Sequence, residues 1–362
     1  MKKYLIPFLL TVLGTASCSV DNYNEAYPVT FAHRGCWIEN FIPENSVDGV
    51  AMAARYGYPT IECDVKFTLD SVLVLMHDGT INRTMRNASD YSPIEEKVKV
   101  KETDFNTLRN NYIFASDTIS CRKCIPTFAE FMDACEREGI KPILHCDIYE
   151  GYVAASERLG SNWIAFTEDY ELCKRVRALD SDVLILYSPK KHLYGLSAAQ
   201  LISKLDSIGG SCGISSMHYP LMRKTVCDSL RAAGYTTQSS IFPVPHEMEA
   251  ISNGAEIILS DFCWFPMEGD KPTVSFDCTD SVSIERTWPR EEFACMTINI
   301  SCTGHYTLSV NGSDKVYDIN NGGEEIRLGY RIYNTEPSVS VVPAEDSPGC
   351  SIDRFRLNIY RK

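Results

Sequence analysis

Between Phe31 and Asp78 the chain reads FAHRG (31–35), PENS (43–46), IECDV (61–65) and LMHD (75–78). Two histidines, an arginine and several acids thus sit beside two apolar runs of strand character, Val29–His33 and Thr60–Val65. Further runs of the same kind follow at Pro142–Asp147, Trp163–Phe166, Val183–Tyr187, Cys212–Ser216, Thr236–Ser240 and Ile257–Ser260, separated by amphipathic, helix-like segments. Eight short strands alternating with helices predict an α/β protein, a (β/α)8 TIM barrel over residues 26–268.

The helices carry their own punctuation. Asn45 or Ser46 can cap a helix running through Val50, Met52 and Ala53 to Arg55, and Thr127 with Glu130 three residues on is a capping box closed by Gly139. Between Asp78 and Pro126 the rhythm breaks, and residues 79–125 read as an insertion at the C-terminal rim of the second strand. A substrate-facing loop and an excursion away from any ligand are both open for it. Beyond Pro266 the period becomes two, in MTINIS (296–301) and YTLSV (306–310), with turn signals at Asn311-Gly312 and Asn321-Gly322-Gly323. Residues 271–362 are therefore expected to form a small all-β, sandwich-like module that packs on the barrel or binds a surface ligand.

The chain of 362 residues is 44% hydrophobic with a formal charge of −13, which suits a barrel plus an accessory module. That charge argues against a broad nucleic-acid footprint, because phosphate neutralisation needs clustered Lys and Arg. A phosphate-bearing ligand would have to be met locally, by a metal or one arginine. The N-terminus, MKKYLIPFLLTVLGTASC, has Lys2 and Lys3 before a short apolar run and small residues before Cys18. It reads as an export signal over residues 1–17 with Cys18 as a lipidated first residue, hence a membrane-anchored lipoprotein facing the periplasm or cell surface; an ordinary secretory signal is the alternative. Fourteen cysteines remain beyond Cys18, and the Cys121-x-x-Cys124 pair reads as a local disulfide or two free thiols rather than a zinc site. Cys63 and Cys146, inside apolar runs, read as small core residues.

Active sites of such barrels lie at the C-terminal strand ends. His33 and Arg34 end the first strand, Glu62 and Asp64 lie in the second, and Asp147 ends the third. Glu62 and Asp64 are two apart on a strand, so their side chains share a face about 7 Å apart, with Cys63 facing the helices. Two carboxylates aimed into one barrel mouth repel unless protonated or bridged, and a hard divalent cation with oxygen ligands, Asp147 supplying a third, relieves this. By itself E-x-D is a weak signal. His33 and His77 could divide general base and general acid duties, and either could instead be a hydrogen-bonded core histidine. Arg34 suits a phosphate through its planar donors, or a structural ion pair.

HRG, PENS, the E-x-D strand and M-H-D followed by T-I-x-R-T (80–84) resemble the glycerophosphodiester phosphodiesterase family, over roughly residues 29–265 and most specifically in the first fifty. IPTFAEFM (125–132) and GAEIILSD (254–261) match that family's later landmarks. The resemblance implies a (β/α)8 barrel in which His33 and His77 are the acid/base pair, Arg34 contacts phosphate, and Glu62, Asp64 and a third-strand acid hold Ca2+ or Mg2+. It implies Glu44, with its neighbour Asn45, as a supporting element at the rim. It implies hydrolysis of a small-molecule phosphodiester to glycerol phosphate and an alcohol. Two departures stand out. The third strand reads LHCDIY (144–149), with Asp147 and Tyr149 where the family has Glu and Lys, and His145 sharing Asp147's face as a further substrate contact beside Tyr149. TTQSSIF (236–242) stands where a Trp-Thr element is expected. Two other readings therefore stand beside the first: the same fold acting on a lysophospholipid, sphingolipid head group or phosphorylated glycan, and a surface binding protein without turnover.

Overall fold

The computed structural model describes residues 29–35, 37, 42–55, 58–190, 193, 195–216, 223–240, 250, 253–261 and 271, and the C-terminal strands named below. The expected signal segment and Cys18 lie outside the described residues, as does the turn at 321–323. No helix among the described residues is long and apolar enough to cross a membrane.

Eight parallel strands close into a barrel: β1 (Val29–Ala32), β2 (Thr60–Phe67), β3 (Lys141–His145), β4 (Ile164–Thr167), β5 (Leu184–Tyr187), β6 (Cys212–Ser216), β7 (Thr236–Ser240) and β8 (Ile257–Ser260). Each pairs with its neighbour in chain order, and the ring is closed by β1, which pairs with β8 from Val29 opposite Ile257 to Ala32 opposite Ser260 and with β2 at Ile61. The eight predicted strands are all present, three with the expected bounds and the others with ends shifted by at most two residues. Helices α1 (Val47–Arg55), α3 (Phe128–Glu138), α4 (Tyr149–Leu159), α5 (Tyr170–Leu179), α6 (Ala198–Ile208) and α7 (Lys224–Ala232) alternate with them, and α2 (Phe105–Asn111) belongs to the insertion.

Strand alternation sorts the core into two shells. Phe31, Ile143, Ile164, Phe166, Leu186, Ile257 and Leu259 fill the barrel interior. Cys63, Leu144, Ala165 and Ile185 point the other way, into the larger layer shared with the helices. Each buried Leu, Ile or Phe contributes roughly 1.5–3 kcal/mol on the transfer scale. Cys63 and Cys146 are buried members of the outer layer, as their apolar neighbours predicted, and Cys121 and Cys124 are both free thiols. At α3 the capping box is formed in both directions between Thr127 and Glu130, and Gly139 closes the helix in the left-handed conformation.

The insertion has a core of its own. Val74, Met76, Ile81, Met85, Val100, Leu108, Phe114 and Ile125 pack together, α2 is capped by the Asp104 side chain, and Met85–Asn87 pairs antiparallel with Tyr112–Phe114. It attaches where β2 overruns the barrel and pairs antiparallel with Leu73–Leu75, so the segment carrying His77 is held between barrel and insertion. The C-terminal strands form two four-stranded antiparallel sheets, in the order Val274–Cys278, Phe355–Tyr360, Ala294–Ser301, Glu325–Ile332 and the order Ser281–Ser283, Ser338–Pro343, Gly304–Val310, Ser313–Ile319. Val310 stands opposite Ser313, the register that an Asn-Gly hairpin signal predicts.

Candidate active site

Glu62 and Asp64 lie on the inner side of β2, and the register of β3 sets Ile143 beside Glu62 and His145 beside Asp64. Ligand atoms of Glu62, Asp64 and His145 all come within 4.8 Å of one another. Both carboxylates are buried, Glu62 completely. Their charges are met unequally. Glu62 Oε2 accepts from the Arg34 backbone N–H at 3.0 Å, whereas Oε1 is buried and accepts no hydrogen bond among the described residues, with His145 Nδ1 3.8 Å away. Asp64 accepts from Asn45 Nδ2 at 2.9 Å, returns its own N–H to Asn45 Oδ1 at 2.8 Å, and faces His145 Nδ1 at 3.2 Å and Arg34 Nε at 3.5 Å.

Burial, and then repulsion from Asp64, push the Glu62 carboxyl up to about 7. Burial also acts to raise Asp64, but the hydrogen bond with His145 and the positive fields of His145, His77 and Arg34 outweigh it and hold Asp64 below the ordinary carboxylate range. Burial likewise opposes the charged form of His145, and the Asp64 contact and nearby carboxylates overcome it, raising that imidazole. The imidazole thus supplies part of the positive charge the two acids require.

His33 follows β1 and is 3% exposed. Its Nε2 lies 3.2 Å from Arg34 Nε, which can only donate, so the neutral ring carries its proton on Nδ1 and gives it to Asp261 Oδ1 at 2.5 Å. Trp37 Nε1 donates to the same Asp261 oxygen at 2.9 Å, and burial, which would raise Asp261, is outweighed by its His33 contact, leaving it below the usual range. His77, with its side chain 36% exposed, has the matching arrangement at the rim. Its Nδ1 meets Asp78 Oδ1 at 2.7 Å, and Asp78 Oδ2 accepts from Arg83 Nε at 2.7 Å. The fork of Arg83 then grips both oxygens of Glu44 at 2.7 and 2.9 Å, and Arg34 Nη1 reaches Glu44 Oε1 at 3.3 Å.

The backbone is bent to make this possible. Arg34 and Asn45 both adopt left-handed conformations, with φ of 50° and 54°, a costly state for residues with side chains. Gly35 at φ 87° follows, and a Cβ there would lie 3.1 Å from the Gly49 Cα of α1. Asn45 N–H closes the bend on Arg34 C=O at 2.9 Å, and Ser46 caps α1 through Gly49 N–H at 3.1 Å.

Of the residues singled out from the sequence, His33, Arg34, Glu44, Asn45, Glu62, Asp64, His77 and His145 form one connected network. Glu44 is 4% exposed, a buried anchor rather than a residue of the open rim. Asp147 is not among the groups that meet: β3 ends at His145, strand alternation ends with it, and the Asp147 carboxylate accepts instead from Thr167 Oγ1 at 3.1 Å. Tyr149 opens α4, packs against the outer core and lies under the Arg175 guanidinium at 3.9 Å, away from the cluster. Sequence reasoning gave no role to Trp37, Asp78, Arg83 or Asp261. Arg83 lies inside TIxRT and Asp261 closes GAEIILSD, so each was visible only as part of a motif. In the barrel interior Gln238, on the strand where a Trp-Thr element was expected, is fully buried with neither amide atom partnered among the described residues.

With this geometry in place, residues 33–194 match the model of the Glycerophosphoryl diester phosphodiesterase family. Glycerophosphodiester phosphodiesterase 1 of Mus musculus is 32% identical over 111 residues, 30% of each chain. The protein of that name from Homo sapiens is 27% identical over 165 residues, 42% of this chain and 46% of that one. The chain therefore spans under half the length of these curated relatives. Among solved structures, a glycerophosphoryl diester phosphodiesterase from Silicibacter pomeroyi superposes with TM-score 0.54 at 16% identity, covering 67% of this chain and 93% of that one. A phosphodiesterase from Oleispira antarctica, solved with the product sn-glycerol-3-phosphate, gives 0.53 at 19% identity over 66% and 94%. These likenesses establish the barrel fold.

The raised Glu62 sets a sign for stability. A carboxyl whose folded pKa lies above its unfolded value of 4.5 loses stability as pH rises between 4.5 and about 7, and carries the full penalty above 7. In chelator at pH 8, Glu62→Gln is expected to raise the thermal unfolding midpoint, corresponding to on the order of 1–3 kcal/mol. Added divalent cation should then stabilise the wild type and not the variant. A lowered midpoint at pH 8 would contradict the assignment of Glu62 as an uncompensated buried acid.

Proposed function

We propose that the chain is a metal-dependent phosphodiesterase that hydrolyses glycerophosphodiesters to glycerol phosphate and an alcohol. The observation that carries the reading is the pairing of two histidine–carboxylate dyads across a buried Glu62–Asp64 pair whose Oε1 lacks a partner. The match of residues 33–194 to that family's model and the glycerol phosphate bound by the Oleispira antarctica neighbour support the substrate class.

The residues present fit a divalent cation: two adjacent buried carboxylates, one with an orphaned oxygen, form an anionic cradle. Glu62 and Asp64 would hold the ion, and when bound it would neutralise charge on the phosphodiester. Two oxygens favour Mg2+ or Ca2+; Asp147 could serve as the third ligand by releasing Thr167, and His145 stands ready as a nitrogen ligand. Arg34 Nη2, free of protein partners among the described residues, points to a non-bridging phosphate oxygen as its acceptor. His33, with Nδ1–H held by Asp261, accepts at Nε2 the proton of the glycerol hydroxyl that attacks phosphorus, the hydroxyl taking the place of the Arg34 Nε–H donated there at 3.2 Å. His77, at the solvent edge, donates a proton to the departing alcohol oxygen. The cyclic glycerol phosphate that results is opened by water with the two roles reversed. Different chemistry on the substrate's alcohol side is favoured by Gln238, whose unpartnered amide replaces the expected aromatic wall.

We also infer export and lipid anchoring at Cys18, a reading supported by the N-terminal sequence alone. Palmitate labelling of the full chain expressed in bacteria should be lost in Cys18→Ser; retained labelling would refute the anchor.

Purified residues 19–362 should release glycerol phosphate from glycerophosphocholine, with activity abolished by chelator. His33→Ala is expected to cost on the order of 10²–10⁴-fold in kcat. Asp261→Asn should lower kcat by less and move the acidic limb of the pH profile to lower pH, because the protonated form of the base His33 loses the carboxylate charge beside Nδ1. Hydrolysis unaffected by chelator would overturn the metal-dependent reading.

A further inference from the structure

Residues 97–101 read KVKVK, a period-two pattern in a chain whose formal charge is −13. Val100 is buried in the core of the insertion and Val98 packs against it, while Lys101 lies in a 3-10 turn, Val100–Glu102, that follows Lys97 and Lys99. They converge with Lys66 on a cavity of about 520 Å³. No carboxylate is among the residues that line it. Lys99 pairs with Glu102 at 2.9 Å, while Lys66, Lys97 and Lys101 have no ion pair among the described residues. Surface lysines often serve only for solubility, and such lysines face open solvent. Here the fourth cation comes from a different element and all four face one concavity, which concentrates an anion-attracting field.

The cavity adjoins the candidate active site. Lys66 is the next inward residue of β2 after Glu62 and Asp64, Gly79 follows Asp78, and Ile148 follows Asp147. The lysine segment is fixed to the His77 segment by Val100 N–H on Gly79 C=O and Ile81 N–H on Val98 C=O, both at 3.1 Å. A group held there is thus at a set position relative to the histidines.

We propose that this cavity is an anion subsite that receives a phosphate or carboxylate carried on the alcohol portion of the diester. The substrate class is then a glycerophosphodiester with a charged, polyol-sized head group. The volume and four cations suit a phosphorylated polyol, whose monoester alone carries about −1.5 to −2 charges. This assignment rests on the phosphodiesterase reading above, and the test separates the two.

The full chain and Lys97→Gln/Lys101→Gln are compared on glycerophosphoinositol phosphate and glycerophosphocholine, and inositol phosphate binding is measured by calorimetry. The wild type should favour the anionic diester in kcat/KM by about tenfold at low salt, a preference that collapses in the double variant and in ~0.5 M salt. Inositol phosphate should bind the wild type and bind the variant about tenfold more weakly. Equal turnover of both diesters, unchanged by the variant, would overturn the subsite and leave the phosphodiesterase reading standing. Cleavage of neither diester with lysine-dependent inositol phosphate binding would sink the phosphodiesterase reading and keep the anion site. If the variant binds inositol phosphate normally but loses phosphatidylglycerol vesicles, the lysines serve a lipid surface and the proposal fails.

Discussion

Two carboxylates placed two residues apart on the inside of one barrel strand, both cut off from water, are the constraint around which the first half of this chain is arranged. Like charges about 5 Å apart repel by on the order of 3 kcal/mol at the effective dielectric of a protein site. Each also forfeits hydration. The chain answers with a backbone N–H from Arg34 to Glu62, an Asn45 amide and its own N–H for Asp64, and the His145 imidazole between them. Those answers fall short at Glu62 Oε1, and that shortfall is the observation on which the proposal of a cation cradle rests.

From that pair the strain propagates outward. Arg34 offers its N–H to Glu62, and Asn45 brackets Asp64, from left-handed conformations. Gly35 then passes close to Gly49, which ties the bend to α1. Glu44 links the first strand's arginine to Arg83 of the insertion, and Arg83 holds Asp78, the partner of His77. The insertion is consequently a structural part of the site. Its hydrophobic core fixes one of the two histidines, and its lysine-bearing segment lies next to that histidine in space.

Most of the barrel was legible because period-two and period-3.6 patterns are local, and all eight strands fell within two residues of their expected ends. His33, Arg34, Glu62, Asp64 and His77 were legible because ionisable residues beside apolar runs are conspicuous. Asp147 lies apart from the cluster for a definite reason: the apolar pattern does not reveal that β3 stops at His145. Tyr149, the first residue of α4, likewise packs against the outer core. Asp261 and Arg83 are far in sequence from the histidines they orient, 228 residues in the case of Asp261 and His33, and no local pattern carries such a pairing. The lysine cavity escaped notice because its cations come from β2 and from an insertion read only as a break in rhythm.

The central claim is that Glu62 and Asp64 form a cation site at the C-terminal mouth of the barrel, between the two histidines. The most direct measurement is anomalous diffraction from crystals of the chain grown with Mn2+ in place of the natural ion. A single strong anomalous peak within bonding distance of both Glu62 Oε1 and an Asp64 oxygen is the expected result. Full occupancy of Mn2+ elsewhere, with His145 still seated between two unmetallated carboxylates, would contradict the account.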